Sequence, residues 1–229
     1  MSNVFDPFGD FETKGYLRNT LGEKNLQDVK SMEHIVFLSQ LPATLDWLAT
    51  QPLCYNTLLQ THQRLFAEFY PWAGQDRLTV LPDTTVKKGE IVFADPEEIQ
   101  NTVIDALKQT SAADVLRQLA FAHPFLDGNG RAIFVVFAEH QRRQKKLVRF
   151  DQVSKSDLGR ALGQSIIGHS QQLSKILQQH TVRFPLKIPE AERVSRVFSA
   201  IDWSGEGHNT IYEAHPTVLH KIISAFKKR

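Results

Sequence analysis

The sequence predicts a mainly α-helical fold: a helical core with one small β-hairpin. Three observations carry this. Apolar residues recur at three- and four-residue spacings through most of the chain, the mark of helices with one buried face. Residues 78–94 break that rhythm with two short apolar runs around a turn-rich piece. Hydrophobic residues make up 41% of the 229 and charged residues 23%, enough apolar material for a core and too much for a disordered chain.

The first twenty-four residues set Gly9, Gly15 and Gly22 among Phe5, Phe8, Phe11 and Tyr16, which predicts an ordered loop pinned by rings. Helical spacing starts after Asn25 with Leu26, Val29, Met32, Ile35, Val36 and Leu38. Pro42 is expected to end this helix, and Ala43–Thr50 to form a short one closed by Pro52. Tyr55–Tyr70 reads as a third helix that buries Leu58, Leu59, Leu65, Phe66 and Phe69. Leu78–Leu81 and Glu90–Ala94 flank Pro82, Asp83, Lys87, Lys88 and Gly89, the pattern of a β-hairpin. Pro96, Glu97 and Glu98 open the next helix, because proline suits the first turn and carboxylates its positive dipole end. Val103, Ile104 and Leu107 line it. Ala113–Ala122 follows, with Val115, Leu116, Leu119 and Ala120 on one face and His123 next on that face. After a break at Pro124–Gly130, a long helix is expected to about Leu147, then helices at Asp157–Ile167 and Ser170–His180. Pro185 and Pro189 interrupt the pattern. The expected organisation is one domain over residues 1–182 (N-terminal helices 25–50, core about 55–180) and a C-terminal helical appendage over residues 183–229.

Twenty-seven basic side chains against 25 acidic leave a net charge of +2, without the basic excess of a typical nucleic-acid partner. Arg142, Arg143, Lys145, Lys146 and Arg149 read as a solvated helix end whose cations oppose the negative dipole end. The single cysteine, Cys54, excludes an internal disulfide, points to a reducing compartment and is expected to be buried. The other eight histidines show no metal-ligand spacing. No leader peptide is legible, and runs such as Ile133–Ala138 fall far short of the ~18 apolar residues a membrane span needs. A soluble cytoplasmic protein without membrane contact is expected, although an exported effector would look the same.

The informative stretch is His123-Pro-Phe-Leu-Asp-Gly-Asn-Gly-Arg131. A glycine-containing helix start presents consecutive N–H groups at a positive dipole end, which makes an anion site. Gly128 and Gly130 let backbone approach a phosphate, Asn129 adds a donor and Arg131 a cation. Asp127 offers a hard oxygen ligand for Mg²⁺, and His123 a side chain whose ordinary pKa suits a general base. Taken alone, Gly-Asn-Gly also suits an ordinary turn and the histidine an ordinary packed side chain, so both readings stand at this level.

The same run resembles the Fic-family signature H-x-F-x-[D/E]-G-N-G-R-x-x-R. Tyr70-Pro-Trp-Ala-Gly-Gln75 resembles the family's W-A-G segment, and Lys88-Gly89-Glu90-Ile91-Val92-Phe93 its flap hairpin. Gly15-Tyr-Leu-Arg-Asn19 is similar to its N-terminal element, so the likeness covers about residues 10–180. The resemblance implies the Fic fold, a helical core with a flap hairpin over the active site. It implies AMPylation, transfer of AMP from ATP to a Ser, Thr or Tyr hydroxyl of a target protein with release of pyrophosphate. On that pattern His123 deprotonates the hydroxyl and Asp127 holds Mg²⁺. Gly128, Asn129, Gly130 and Arg131 cradle the phosphates, Phe125 anchors the loop, and residues 88–93 clamp the target. A small antitoxin is a conceivable partner. The Ala-Asn-Lys variant of the phosphorylating branch is absent. Phe134 stands where most relatives have a second arginine, expected to meet the terminal phosphate. That substitution leaves a UMP, GMP or phosphocholine donor, or a degenerate toxin or effector acting by binding, as alternatives. The one Glu followed by Gly or Asn, Glu206-Gly207, sits in a loop-like setting and reads as an accidental match to the family's inhibitory motif.

Overall fold

In a computed structural model, which describes residues 19–23, 25–83, 85–88 and 90–184, the chain enters helix α1 (Leu26–Ala49) at Asn25. The Asn25 side chain accepts the N–H groups of Gln27 (3.0 Å) and Asp28 (3.3 Å), satisfying donors that a helix start otherwise leaves open. The aromatic opening loop up to residue 18, the family-like segment 15–18, Gly89, Glu206-Gly207 and the appendage beyond residue 184 lie outside the described residues.

Pro42 does not divide α1. A mid-helix proline costs about 3 kcal/mol through its missing N–H and its ring. Continuing the helix buries Leu45 and Leu48 beside Val36, Phe37 and Leu41. At roughly 1.5–3 kcal/mol for each buried leucine, continuity outweighs the break. Helix α2 (Tyr55–Phe66) ends four residues before the expected Tyr70. Cys54 is its N-cap and is exposed, not buried, because the chain turns out to the surface where this helix begins.

The segment expected as the first hairpin strand is instead a single helical turn, α3 (Arg77–Val80). Asp76 Oδ1 caps it, accepting from the Thr79 N–H (2.8 Å) and hydroxyl (2.7 Å). The hairpin is smaller than expected: β1 (Lys87–Lys88) pairs antiparallel with β2 (Ile91–Val92), Lys88 opposite Ile91. A short 3₁₀ turn at Pro96–Glu98 leads into α4 (Ile99–Lys108), which packs on α5 (Ala112–Ala122).

Helix α6 (Asn129–Arg143) is the centre of the molecule; eleven of its fifteen residues are buried, so α1, α2 and α5 all pack around it. Its basic end is not simply solvated. Arg142 and Arg143 converge on the buried Glu139 at 2.6–2.7 Å, and Arg143 also reaches the Gln51 carbonyl near the end of α1. The helix stops short of Leu147, because Lys145 takes a positive φ of 59° and turns the chain into β3 (Lys146–Val148). Helices α7 (Lys155–Ile166) and α8 (Gln171–His180) follow, and β4 (Thr181–Arg183) pairs antiparallel with β3, Leu147 opposite Val182. Phe184 donates its N–H to the Lys145 carbonyl (2.9 Å) and is buried. The packed body therefore runs through residue 184. Among the described residues no helix is long and apolar enough to cross a membrane.

Truncating this last anchor, Phe184→Ala, is expected to lower unfolding free energy by about 3 kcal/mol. The control Val182→Thr, at a position 43% exposed, should move it by less than about 0.5 kcal/mol. Thermal melts of the two variants check this, and equal melting points would place Phe184 outside the core.

Candidate active site

Helix α5 delivers His123 to the end of its last turn, where the residue takes a left-handed conformation (φ 41°, ψ 58°). A non-glycine side chain in that region costs about 1 kcal/mol or more and persists only where its surroundings hold it. Here the His123 carbonyl accepts from Arg77 Nε (2.7 Å), and the adjoining Pro124 carbonyl accepts the Arg77 backbone N–H (2.7 Å). The imidazole stacks on Phe93 of the hairpin, centroids 3.9 Å apart and planes 17° from parallel. Its Nε2 lies 3.2 Å from Asn129 Nδ2. An amide NH₂ can only donate, so Nε2 carries the lone pair and the proton sits on Nδ1. Burial pushes the His123 pKa down to about 3, with Arg77 and Lys88 adding to the effect. The ring is neutral at physiological pH.

The loop between α5 and α6 is closed by Asn129, whose Oδ1 accepts the Phe125 N–H (2.8 Å) while its Nδ2 donates to the Phe125 carbonyl (2.6 Å). Gly128 caps α6 at φ 72°. A Cβ there would stand 2.8 Å from Phe66 Cε2 and 3.0 Å from His62 Nε2, so both conformation and space demand glycine. Beneath the loop, Phe125 stacks on His62 at 3.8 Å. His62 Nδ1 accepts the Gly74 N–H (2.9 Å), which leaves Nε2–H to donate to the Asp127 carbonyl (3.0 Å). That ring ties the Trp72-Ala-Gly74 turn to the loop, and burial holds its pKa down at about 3.

His123, Phe93 and Asn129 help to line a cavity of about 610 Å³. Lys88, Glu90, Ile91 and Phe93 come from the hairpin, His123, Asn129, Gly130, Ile133 and Phe134 from the loop and α6, and Gly159, Leu162 and Gly163 from α7. Val92 points outward and is exposed, as strand alternation requires. Gly128, Asp127 and Arg131 do not line the cavity. Arg131 turns the other way, buried over the rings of Phe66 (4.9 Å) and Phe37 (5.8 Å), and pairs with Glu33 of α1. Burial pushes the Glu33 carboxyl up to about 7, opposed by Arg131 and assisted by Asp127; Arg131 stays charged. Asp127 is half-buried and has one oxygen on the Gly128 N–H (2.6 Å). Its other oxygen is a hard ligand of the type a divalent cation takes, and no cluster of three or more metal-ligating side chains exists among the described residues. Phe134 is 4% exposed and meets Phe150 edge-on at 4.8 Å, so the wall at this point is apolar.

Sequence reasoning missed Glu33, His62 and Arg77, whose partners lie far away along the chain. Gly159 and Gly163 did leave a trace, two glycines one turn apart on a helix. A Cβ on Gly163 would meet Ile91 Cδ1 at 3.1 Å, so this face admits the hairpin.

Residues 52–140 match the Fic/DOC family model. The chain is 25% identical, over 89% of its length, to the protein adenylyltransferase VbhT of Bartonella schoenbuchensis, and spans about half (46%) of that relative. Among solved structures it is similar to BepC, a VirB-translocated effector of Bartonella tribocorum with bound AMPPNP. That match has a TM-score of 0.60 and 22% identity, covering 72% of this chain and 92% of that one. Fic-1 of C. elegans matches with a TM-score of 0.53 and 18% identity, over 72% and 50% of the two chains. At these identities the structural likeness concerns the fold.

The depressed histidines set a pH dependence. In the unfolded chain His62 and His123 protonate near pH 6.5, but when folded only near 3, so unfolding takes up two protons between these values. Glu33 acts oppositely between its unfolded 4.5 and folded 7, releasing one. His140, also lowered by burial, adds to the histidine side. Stability is therefore expected to fall as pH drops from 6.5 to 4.5. Replacing His62 by Gln should reduce that slope by about 1.4 kcal/mol per pH unit, measured by urea unfolding at pH 5 and pH 6.

Proposed function

We propose that the protein is an adenylyltransferase transferring AMP from ATP to a Ser, Thr or Tyr hydroxyl of a target protein; the match of residues 52–140 to the Fic/DOC family model and the similarity to a protein adenylyltransferase support this reading. The observation that carries this reading is a neutral imidazole that lines a cavity together with Asn129 and Gly130 of the α6 start, its Nε2 lone pair held by Asn129 Nδ2.

The target oxygen attacks the α-phosphorus, its proton passes to His123 Nε2, and the bond to pyrophosphate breaks. Asn129 Nδ2 can release Nε2 at little cost because it keeps the Phe125 carbonyl. A base of pKa about 3 is weak; incoming phosphates favour the imidazolium and lift it toward the range where proton transfer is efficient. The first turn of α6, opening at Asn129 and Gly130, presents N–H groups and its positive dipole end to the phosphates. Mg²⁺ bound through Asp127 would neutralise phosphate charge and assist departure of the leaving group. Arg131 supports α6 from below while it is paired with Glu33. The hairpin offers a short edge with Val92 exposed, to which an extended target segment can add as a further strand.

Phe134 favours one second reading. With that wall apolar, Lys88 and Arg160 are the cations lining the cavity among the described residues, so a donor with less charge than ATP, such as CDP-choline carrying phosphocholine, suits the same chemistry. Full-length protein is incubated with lysate, Mg²⁺ and separately labelled ATP, UTP, GTP or CDP-choline, beside His123→Ala. Label from ATP that falls roughly 10²- to 10⁴-fold in the variant supports the main reading. Label from another donor alone transfers support to the second, and no label from any donor overturns both.

A further inference from the structure

Arg77 lies on the one-turn helix α3 and is fully buried. Its element is pinned from behind: Asp76 caps the turn and also accepts the Tyr55 hydroxyl of α2. In front, the guanidinium gathers three carbonyls. Nε donates to His123 (2.7 Å), and one terminal nitrogen donates to Ala94 (2.6 Å) and Ala122 (3.3 Å). The carbonyls of Ala122 and His123 are among those a helix C-terminus leaves without internal partners, at its negative dipole end. Ala94 is the foot of the hairpin, one residue from the Phe93 ring that stacks on His123. One side chain therefore sets both the backbone that aims the imidazole and the strand that carries its stacking partner.

We propose that Arg77 is the positioning residue of the site, holding His123 and the base of the hairpin in one frame. The inference takes its kinetic meaning from the activity proposed above. A planar fork can bind three carbonyls from fixed directions; an ammonium at the end of a flexible stem cannot. The charge has a second effect, because a cation beside His123 disfavours its protonated form, as does Lys88 of the hairpin. Glu90 of the hairpin and Arg160 of α7 are the remaining charged groups lining the cavity among the described residues.

The test uses full-length protein with ¹³C-labelled histidine, as wild type, Arg77→Lys and Arg77→Met. Melting temperature establishes that each variant folds, and NMR follows the His123 ring as pH is lowered. Label transfer is separated into kcat and KM for the nucleotide. Arg77→Lys is expected to lower kcat about tenfold to a hundredfold with KM changed less than about twofold, the pattern of a displaced reacting group. Arg77→Met is expected to raise the His123 midpoint by roughly half a pH unit or more, the sign for removing a nearby cation. If Arg77→Met does not fold, Arg77→Lys decides through kcat and the His123 resonance. An unchanged His123 resonance and midpoint, with kcat per folded molecule unchanged and only the melting temperature lowered, would overturn the proposal. If wild type transfers no label from any donor, the activity fails while the His123 titration still decides the role of Arg77.

Discussion

The site depends on one close approach: Gly128 backbone seated against the His62 and Phe66 rings of α2. With any side chain at that position the loop would stand off the helix, and the first turn of α6 would move with it. Asn129 could then no longer bracket Phe125, and Nε2 of His123 would lose its partner. His62 makes the seat polar as well as tight, since it joins the Gly74 N–H to the Asp127 carbonyl and so leaves neither group buried without a bond. A glycine, a histidine and an asparagine thus do as packing what the charged members of the segment do not.

A few charges are held inside the fold. Arg131 pairs with Glu33, Glu139 receives two arginines, and Arg77 is surrounded by carbonyls. Buried pairs are weak evidence for net stability, because desolvation offsets most of the attraction. Their effect is on register: each cation has one place where it is satisfied, and a helix displaced along its neighbour would strand it. The cavity itself is left with a neutral base, a helix start and partly apolar walls, and Lys88, Glu90 and Arg160 are the charged side chains lining it among the described residues.

Most helices are legible because burial writes itself as spacing, and Ala112–Ala122 follows that spacing closely; Asn129–Arg143, buried nearly all round, shows it less. Pro42 misled because the cost of a proline is local while the gain from Leu45 and Leu48 is tertiary. Leu78–Leu81 misled because Leu-Thr-Val-Leu suits a strand, yet Asp76 caps that segment and Arg77 is anchored elsewhere. Strands β3 and β4 are three residues each, too short to show alternation. His123, Asn129 and Gly130 could be read because they are contiguous. Arg77, His62 and Glu33 could not, because they meet their partners across 46, 65 and 98 positions, and nothing local marks a residue for a contact that distant.

The Glu33–Arg131 pair bears on what counts as the smallest folding unit. The family match begins at residue 52, after α1 has ended. A fragment started there would leave Arg131 charged in an apolar setting with its counter-ion gone, and would bare the faces of α2 and α6 that α1 covers. The recognisable motif and the foldable piece are therefore different lengths of chain. Any exchange of this module between proteins has to carry the α1 helix with it.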